Sequence, residues 1–374
     1  MHGHDTHGEG DSMRDSRAKK VMGRAEGVDS LVIMNGQDPY LDPTYRYLTD
    51  NQSGLMEGCL LTVFPDGSMD SVVSRMEEGS ARLGGGRVHV YQSQKEREDL
   101  IMDLLQDSRR IGINSGSLTV RSANYLQSLL PQAELVDVSE AISATRSIKD
   151  EREIGRIRRA CQISSSVAEE MPSFLQDGVT EREVKAMVEM RLQEKGGHGN
   201  AFATIVAFGE NSAEPHHYPS DRALRKGDVV LTDFGCRYEG YCSDLTRTVF
   251  FGKPDRHLAK AYATVLKAKR SATASIRAGV GAMDVDGIAR GIIDESEFQG
   301  LFTHSFGHEI GMNVHEGGSL GQRSSLVLKE GMVVSAEPGI YIDGHGGIRV
   351  EDTILVLEDG FEPLTDFDQN LTVV

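Results

Sequence analysis

Four acidic residues occupy equivalent positions of a duplicated pattern in the second half of the chain. The run GDVVLTDFG contains Asp233, and the run GMVVSAEPG contains Glu337 at the same position without a gap. Each is followed by a second β-rich run with another acid, Asp244 in SDLTRTVFFG and Glu351 in GIRVEDTILVLE. A duplicated unit packs about a pseudo-two-fold axis, so we expect two hairpins to face each other with their four carboxylates converging.

The local sequence predicts that these carboxylates are partly buried. Asp233 and Glu337 follow strongly apolar strand residues, where an acid on an exposed surface would be unusual. Carboxylates a few ångströms apart cannot all stay ionised without counter-charge. No run of Lys or Arg adjoins these strands, although Arg247 and Arg349 lie close in sequence. Two divalent ions would balance four negative charges, so we interpret the acids as a dinuclear metal site.

A histidine cluster precedes the last two acids. His304, His308 and His315 recur within the segment HSFGHEIGMNVHE, and three histidines so close to converging acids favour a ligand over a core or surface role. One histidine with four carboxylates suits Mn²⁺, Co²⁺, Fe²⁺ or Zn²⁺, and argues against a closed structural zinc site. Two bridged ions lower the pKa of a shared water and polarise a carbonyl, which predicts hydrolysis of an amide bond.

The same repeat also contains two predicted helices, one ahead of each hairpin. Gly-Val pairs at 178–179 and 279–280 stand in the same register ahead of two helical patterns. The first pattern has a capping box of Thr180 and Glu183, which the second lacks. A helical linker from about Lys149 precedes them. We therefore predict a domain that contains a duplicated helix-plus-hairpin unit.

The first part of the chain has a different pattern. Residues 14–143 alternate short β-rich runs such as DSLVIMN, GCLLTVF and RVHVYQS with helical ones such as KEREDLIMDLLQDS, which predicts a small α/β domain. It has no phosphate loop and no compact His and carboxylate cluster, so its expected roles are packing, dimerisation or walling a site. Residues 1–13, polar and with histidines at positions 2, 4 and 7, are predicted to be a disordered leader.

Composition excludes several classes of partner. The chain has 374 residues and a net charge of -17, which argues against a surface for nucleic acid or anionic membrane. Its 4 cysteines show no paired spacing, which indicates free thiols in a reducing compartment. No apolar run has the length of a membrane-spanning helix, and the N-terminal residues lack a signal-peptide pattern. We therefore expect a cytoplasmic protein.

The sequence resembles the metal-dependent peptidases of the pita-bread fold, the M24 group that contains methionine aminopeptidase, Xaa-Pro aminopeptidase and prolidase. The resemblance covers residues 144–374 and rests on motifs in the family's order: TRSIKDEREI, TDFG, SDLTRT, HSFGHEIG, AEPGIYI and GIRVEDT. Residues 14–143 resemble the N-terminal domain of the prolidase and creatinase branch. The implied fold is that α/β domain followed by an α+β pita-bread catalytic domain at 144–374.

The resemblance implies a role for each acid and for one histidine. The family's metal ligands correspond to Asp233, Asp244, His308, Glu337 and Glu351, with Asp244 and Glu351 bridging two ions. Mn²⁺ or Co²⁺ is expected, with Zn²⁺ and Fe²⁺ as alternatives. A hydroxide that bridges the ions would attack the scissile carbonyl, and Glu337 would pass a proton to the leaving proline nitrogen.

Four further residues are expected at the substrate. His315 resembles the family histidine that contacts the carbonyl or oxyanion, and His304 the one that lines the pocket. His216 aligns with the substrate-positioning histidine of prolidases, with His217 as the alternative one residue away. Arg349 would orient a ligand carboxylate, meet a substrate carboxylate or form a structural ion pair.

The expected activity is that of an Xaa-Pro dipeptidase, because the short separation of Glu337 and Glu351 resembles prolidases. An Xaa-Pro aminopeptidase acting on longer peptides is the alternative, since HEGG replaces the family's HExP and the arginine that often follows has no clear counterpart except Arg323. A metal-free C–N hydrolase of the creatinase type and a non-catalytic peptide-binding protein are further alternatives, disfavoured by the intact ligands. A homodimer is implied by the resemblance alone.

Overall fold

The computed structural model describes residues 7–366 and 368–374, with side chains from Ser16 onward. The chain divides into two compact units between Arg146 and Ser147. That division lies close to the domain boundary proposed at residues 143 and 144. Each unit has its own sheets and its own apolar core.

Helix α1 spans His7–Arg24 and so includes residues 7–13 of the predicted leader. Ala18 and Val21 lie on the same side of this helix and are fully buried. Their packing fixes the last turns, from which helical hydrogen bonding propagates toward the N-terminus in spite of the polar sequence. Residues 1–6, with two of the leader's histidines, lie outside the described residues.

The N-terminal unit is built on a six-stranded mixed sheet. After α1 its elements are β1 Ser30–Met34, α2 Pro43–Thr49, β2 Leu60–Val63, β3 Met69–Ser74, α3 Glu78–Ala81, β4 Arg87–Tyr91, α4 Gln94–Leu105, β5 Arg110–Ile113, α5 Val120–Leu129, β6 Glu134–Asp137 and α6 Ser139–Ser147. The strand order is β4-β3-β2-β1-β5-β6, with β1 antiparallel to β2 and parallel to β5. The predicted runs DSLVIMN, GCLLTVF and RVHVYQS form β1, β2 and β4, and the unit is the expected α/β domain.

The C-terminal unit combines small antiparallel sheets with helices on their outer sides. Its elements are α7 Glu151–Glu170, α8 Glu181–Glu194, β7 Ile205–Phe208, β8 Val229–Phe234, β9 Arg237–Tyr238, β10 Tyr241–Cys242, β11 Leu245–Phe250, α9 Arg256–Thr273, α10 Ala282–Asp294, β12 Gly307–His308, β13 Ser319–Leu320, β14 Val333–Ala336, β15 Gly339–Ile342, β16 Gly346–Arg349, β17 Asp352–Val356 and β18 Phe361–Pro363. Short 3-10 helices span Met171–Phe174 and Gly209–Ala213.

The two copies of the repeat have matching local geometry. Thr180 accepts a hydrogen bond from the Glu183 amide, and the Glu183 carboxylate accepts one from the Thr180 amide, so the predicted capping box opens α8. Helix α10 starts after Gly281 without a side-chain cap, also as predicted. Gly227 and Gly331, which enter β8 and β14, have φ angles of +99° and +83°, a conformation that favours glycine. The duplication therefore extends to the backbone.

The two hairpins of the repeat lie against each other through reciprocal contacts. Strand β11 pairs with β8 and strand β17 pairs with β14, both antiparallel. Thr246 of the first hairpin donates to the Glu351 carboxylate at 2.6 Å, and Thr353 of the second donates to the Asp244 carbonyl at 2.8 Å. A threonine of each copy thus binds the acidic residue of the other copy. This arrangement brings the acids to one place, as the pseudo-two-fold axis predicted.

One predicted strand is divided in the structure. The run GIRVEDTILVLE forms β16 and β17 with Glu351 between them. The Glu351 amide donates to the Thr246 carbonyl at 3.1 Å, across to the other hairpin, so the strand pairing cannot continue through this residue. Strands β15 and β16 form an additional hairpin between Glu337 and Glu351.

Two apolar clusters fix the sheets beneath their helices. One joins α7 and α8 to β7, β8 and β11, and the other joins α9 and α10 to β14, β16 and β17. The rear of each hairpin is thereby covered, and the acids lie on the opposite side. Within residues 7–366 and 368–374, no helix is both long and apolar enough to cross a membrane.

Candidate metal centre

Asp244, His308 and Glu351 form a compact group of metal-ligand side chains. One ligand atom from each lies within 4.8 Å of the others. Asp244 directly precedes β11, His308 ends β12, and Glu351 lies between β16 and β17. All three are therefore at strand ends, where the chain turns into the space between the hairpins.

Three carboxylate oxygens of the site are buried without a hydrogen-bond partner among the described residues: Oδ1 of Asp233, Oδ1 of Asp244 and Oε1 of Glu351. Unpaired buried oxygens are costly in a folded protein. Divalent cations bound among these acids would satisfy such oxygens, and oxygen donors of this kind suit hard or borderline metals. The residues present therefore fit a bound metal, and the fit extends to acids from both copies of the repeat.

His308 is oriented for ligation through Nε2. Its Nδ1 lies 3.2 Å from the Glu309 carbonyl, which accepts a hydrogen bond from Nδ1–H and so leaves the Nε2 lone pair free. Nε2 points into the acid cluster, 3.2 Å from Glu337 Oε1 and 3.5 Å from Asp244 Oδ2. A backbone carbonyl thus fixes the tautomer that a metal requires.

Burial and neighbouring charges shift the pKa values of the acids in the site. Burial raises the pKa of Asp244 well above its usual value, and the neighbouring Glu351 and Asp233 carboxylates raise it further. The pKa of Glu351 is likewise raised, by burial first and then by Glu337 and Asp233. Burial acts to raise the pKa of Glu337 as well, but His308, His304 and Arg349 together lower that pKa to about 2. Cations bound here would take the place of protons on Asp244 and Glu351.

Arg349 supplies a positive charge to one side of the cluster. Its buried guanidinium contacts Asp233 Oδ2 at 2.5 Å, Tyr341 Oη at 2.8 Å and Thr246 Oγ1 at 3.0 Å. Burial raises the pKa of Asp233, and the charge of Arg349 opposes that rise. The contacts pair this arginine with Asp233, and the orientation of a metal ligand by Arg349 stays a prediction.

Replacing Arg349 with Met is expected to lower the free energy of unfolding of the metal-free protein by about 3 kcal/mol, because Asp233 would lose its buried partner. Urea denaturation after chelation measures this effect. The control is Arg158→Met, which breaks an ion pair with Glu362 whose side chains are 39% and 41% exposed. That change should cost less than about 1 kcal/mol. Equal losses in the two variants would contradict the role given to Arg349.

The clustered acids and His308 lie at the wall of a cavity of about 640 Å³, which we call the metal cavity. Besides the five predicted ligands, this cavity is lined by all four residues predicted at the substrate, His216, His304, His315 and Arg349, and by the apolar side chains Phe202, Ile205, Pro215 and Val314. The volume is in the range of small-molecule sites. The structure thus brings every predicted site residue to one cavity.

The histidines of the cavity differ in their surroundings. The rings of His315 and His308 are 4.2 Å apart, so His315 is next to the cluster. His304 is held on both nitrogens, by the Ser305 carbonyl at 2.9 Å and by Tyr341 Oη at 2.8 Å, and therefore forms a fixed part of the wall. Burial lowers the pKa of His304, and the same cause together with His308 lowers that of His315.

The structure separates His216 from its sequence neighbour. His216 is exposed at the cavity wall, whereas Nε2 of His217 lies 2.9 Å from the buried carboxylate of Glu181. Of the two alternatives, His216 is the one that faces the cavity. Sequence reasoning did not identify Glu181, and it also missed Tyr341, which contacts both Arg349 and His304.

Known families match both units. Residues 155–358 match metallopeptidase family M24, and residues 14–148 match the Creatinase/Prolidase N-terminal domain. The chain is 41% identical over 257 residues to an uncharacterized peptidase of Staphylococcus saprophyticus, which covers 69% of this chain and 73% of that protein.

Solved structures match over almost the whole chain. An Xaa-Pro dipeptidase from Bacillus anthracis is 30% identical with a TM-score of 0.89, and covers 97% of this chain and 99% of its own. An X-Pro aminopeptidase from Thermotoga maritima is 29% identical with a TM-score of 0.88, covering 94% and 99%. The predicted resemblance and the two-domain fold are confirmed. Because its family match spans the repeat that carries the clustered acids, the chain belongs to metallopeptidase family M24 and is a peptidase of that family with a Creatinase/Prolidase N-terminal domain.

Proposed function

We propose that the protein is an Xaa-Pro dipeptidase that uses two divalent ions, Mn²⁺ or Co²⁺ in preference to Zn²⁺ or Fe²⁺. The observation that carries the proposal is the set of buried acids with unpaired oxygens at the wall of a peptide-sized cavity. The similarity to an Xaa-Pro dipeptidase of Bacillus anthracis supports the substrate class. The ligands would be Asp233, Asp244, His308, Glu337 and Glu351.

Bound ions would polarise the scissile carbonyl and supply a water that is deprotonated near neutral pH. Glu337 would hold the proton from that water and pass it to the proline nitrogen, which cannot leave as an anion. This role fits a carboxylate oriented by Ser335 Oγ, which donates to Glu337 Oε1 at 3.1 Å, with His308 Nε2 3.2 Å from the same oxygen. Peptide-bond hydrolysis then needs no other acid from the chain.

The remaining cavity residues would bind and orient the peptide. His315, beside the proposed ligand His308, would donate a hydrogen bond to the carbonyl oxygen, and His216 would position the substrate. His304 would shape the pocket. Arg349 would act on the substrate only through Asp233, since its guanidinium is already engaged by three side chains.

A second candidate is an Xaa-Pro aminopeptidase that acts on longer peptides. The X-Pro aminopeptidase of Thermotoga maritima matches this chain almost as well as the dipeptidase does. The two activities differ in whether a free carboxylate must follow proline. Arg323 is an exposed arginine in a groove that shares Thr303 and Ser305 with the metal cavity. In a dipeptidase we assign the substrate carboxylate to this arginine.

A peptide panel tests the proposal. After chelation and reloading with Mn²⁺, Co²⁺ or Zn²⁺, we expect release of proline from Met-Pro or Gly-Pro to exceed cleavage of an Xaa-Pro-Pro tripeptide. Arg323→Met should raise KM for the dipeptide by about tenfold, because a charge-assisted contact to the substrate carboxylate is lost. The same change should leave KM for the tripeptide unchanged. Dominant tripeptide cleavage would exclude the dipeptidase in favour of the aminopeptidase.

We further propose that the protein is a cytoplasmic homodimer. Analytical ultracentrifugation measures the mass of the particle in solution and so tests the dimer.

A further inference from the structure

The carboxylate of Glu181 is fully buried in the first turn of α8 and lies outside the metal cavity. It accepts hydrogen bonds from four residues of one segment, Phe208, Asn211, His217 and Ser220. Buried carboxylates are retained at such a cost only when their acceptor sites are filled. We refer to Glu181 with His217 and Ser220, the two partners that follow His216 in sequence, as the Glu181 clasp.

The two oxygens of Glu181 hold different parts of the segment. Oε1 accepts from the Phe208 amide at 2.8 Å and from Asn211 Nδ2 at 2.9 Å, at the end of β7. Oε2 accepts from the Ser220 amide at 2.8 Å, Ser220 Oγ at 2.6 Å and His217 Nε2 at 2.9 Å. The second oxygen therefore binds the residues that flank His216 on its C-terminal side.

The other flank of His216 is attached to the metal site. The carbonyl of Pro215 accepts from Arg349 Nη1 at 3.4 Å, and the same arginine contacts Asp233. The Gly347 amide of strand β16 also donates to Ser212 Oγ at 2.7 Å. His216 thus lies between Pro215, which is hydrogen-bonded to Arg349, and His217, which is hydrogen-bonded to Glu181 of α8.

We propose that Glu181 is a positioning residue that acts through His217 to fix His216 against the metal cavity, an inference that rests on the substrate role proposed for His216. An exposed side chain on a free loop would sample many positions. The clasp restricts that freedom before substrate arrives, so the peptide need not order the loop. Removing the clasp should weaken substrate binding and leave the metal ligands in place.

The test compares variants on the two oxygens. His217→Ala removes the hydrogen bond from His217 to Glu181 Oε2, next to His216. Glu181→Gln removes the negative charge that accepts the hydrogen bonds of His217 and Ser220. We expect each to lower kcat/KM for the Xaa-Pro dipeptide by about tenfold, mainly through KM, with metal content unchanged. Asn211→Ala is the matched control, because it removes a bond of similar length from Oε1 of the same carboxylate. It should stay within about twofold of the unmodified protein.

A double-variant cycle separates positioning from general stability. If His217 acts through His216, then adding His217→Ala to His216→Ala should change kcat/KM by less than about twofold. The proposal would be overturned if the two substitutions each lowered kcat/KM by their full factor in the double variant. It would also be overturned if Asn211→Ala lowered kcat/KM as much as His217→Ala does.

Hydrogen exchange distinguishes failure of this inference from failure of the proposed function. We expect peptides covering residues 214–222 to exchange faster in Glu181→Gln and His217→Ala than in Asn211→Ala, with no change at residues 304–316. Unchanged exchange at 214–222 would overturn the clasp whatever the substrate is. If exchange rises but no Xaa-Pro peptide is cleaved, the substrate assignment is wrong, and the cycle is run on the peptide that the panel shows to be cleaved.

Discussion

Glu337→Gln should lower kcat by about 10³-fold while the fold and the metal content are retained, because the amide keeps an oxygen for ligation but cannot accept and return a proton. The glutamate is well placed for such a role, since His308 and Ser335 both contact its Oε1 and fix the carboxylate at the cavity wall. Steady-state kinetics with a saturating Xaa-Pro peptide measures kcat, and elemental analysis of the same sample measures bound metal.

The matched control is Asp70→Asn, which removes a fully buried carboxylate of the N-terminal unit. Asp70 contacts Arg87 at 2.8 Å and His89 at 2.6 Å, so its loss should reduce stability and leave kcat within about twofold. A Glu337→Gln enzyme that retains its metal and more than about a tenth of the unmodified kcat would contradict the proton-transfer role.

Removal of metal is expected to abolish activity, with kcat falling by more than about 10³-fold, because the ions supply both the activated water and the polarised carbonyl. It should also lower thermal stability. Readdition of Mn²⁺ at about 100 times its Kd should stabilise the fold by about 2.7 kcal/mol, or roughly 5–10 °C in Tm for a unit of this size. Calorimetry of chelated and reloaded protein measures the shift.

The double variant Asp244→Asn/Glu351→Gln is the control for metal removal. Its Tm should not respond to Mn²⁺, because the amides no longer balance the charge of the ion. Without metal it should melt no lower than the chelated unmodified protein, because burial already raises the pKa of Asp244 and of Glu351 and the two amides add no charge to the cluster. A metal-dependent Tm in this variant would show that the stabilising ion binds elsewhere.

Much of the fold could be predicted because the signals are local or periodic. The strands of the N-terminal sheet appear as apolar runs, and the capping box of Thr180 and Glu183 lies within four residues of sequence. The duplicated runs around Asp233 and Glu337 gave the pairing of the hairpins by symmetry alone. The helix over residues 7–13 could not be predicted in this way, because burial further along α1 stabilises it.

The contacts that complete the site could not be predicted because they join distant residues. Arg349 and Asp233 are 116 positions apart, and Thr246 and Glu351 are 105 positions apart. Sequence analysis could name Arg349 as a candidate but could not choose among its three roles. Glu181 gave no signal, since it stands inside a capping sequence whose other acid, Glu183, already had an explanation.

The exchanged threonine contacts between the hairpins constrain how the two copies can diverge. Asp244-Leu-Thr246 and Glu351-Asp-Thr353 share the order acid, any residue, threonine, and each threonine contacts the other copy's acid. A change at either threonine therefore alters a hydrogen bond to the acidic residue that the opposite copy encodes. Neither copy alone carries all four clustered acids, so each of these triplets is constrained by the sequence of the opposite copy.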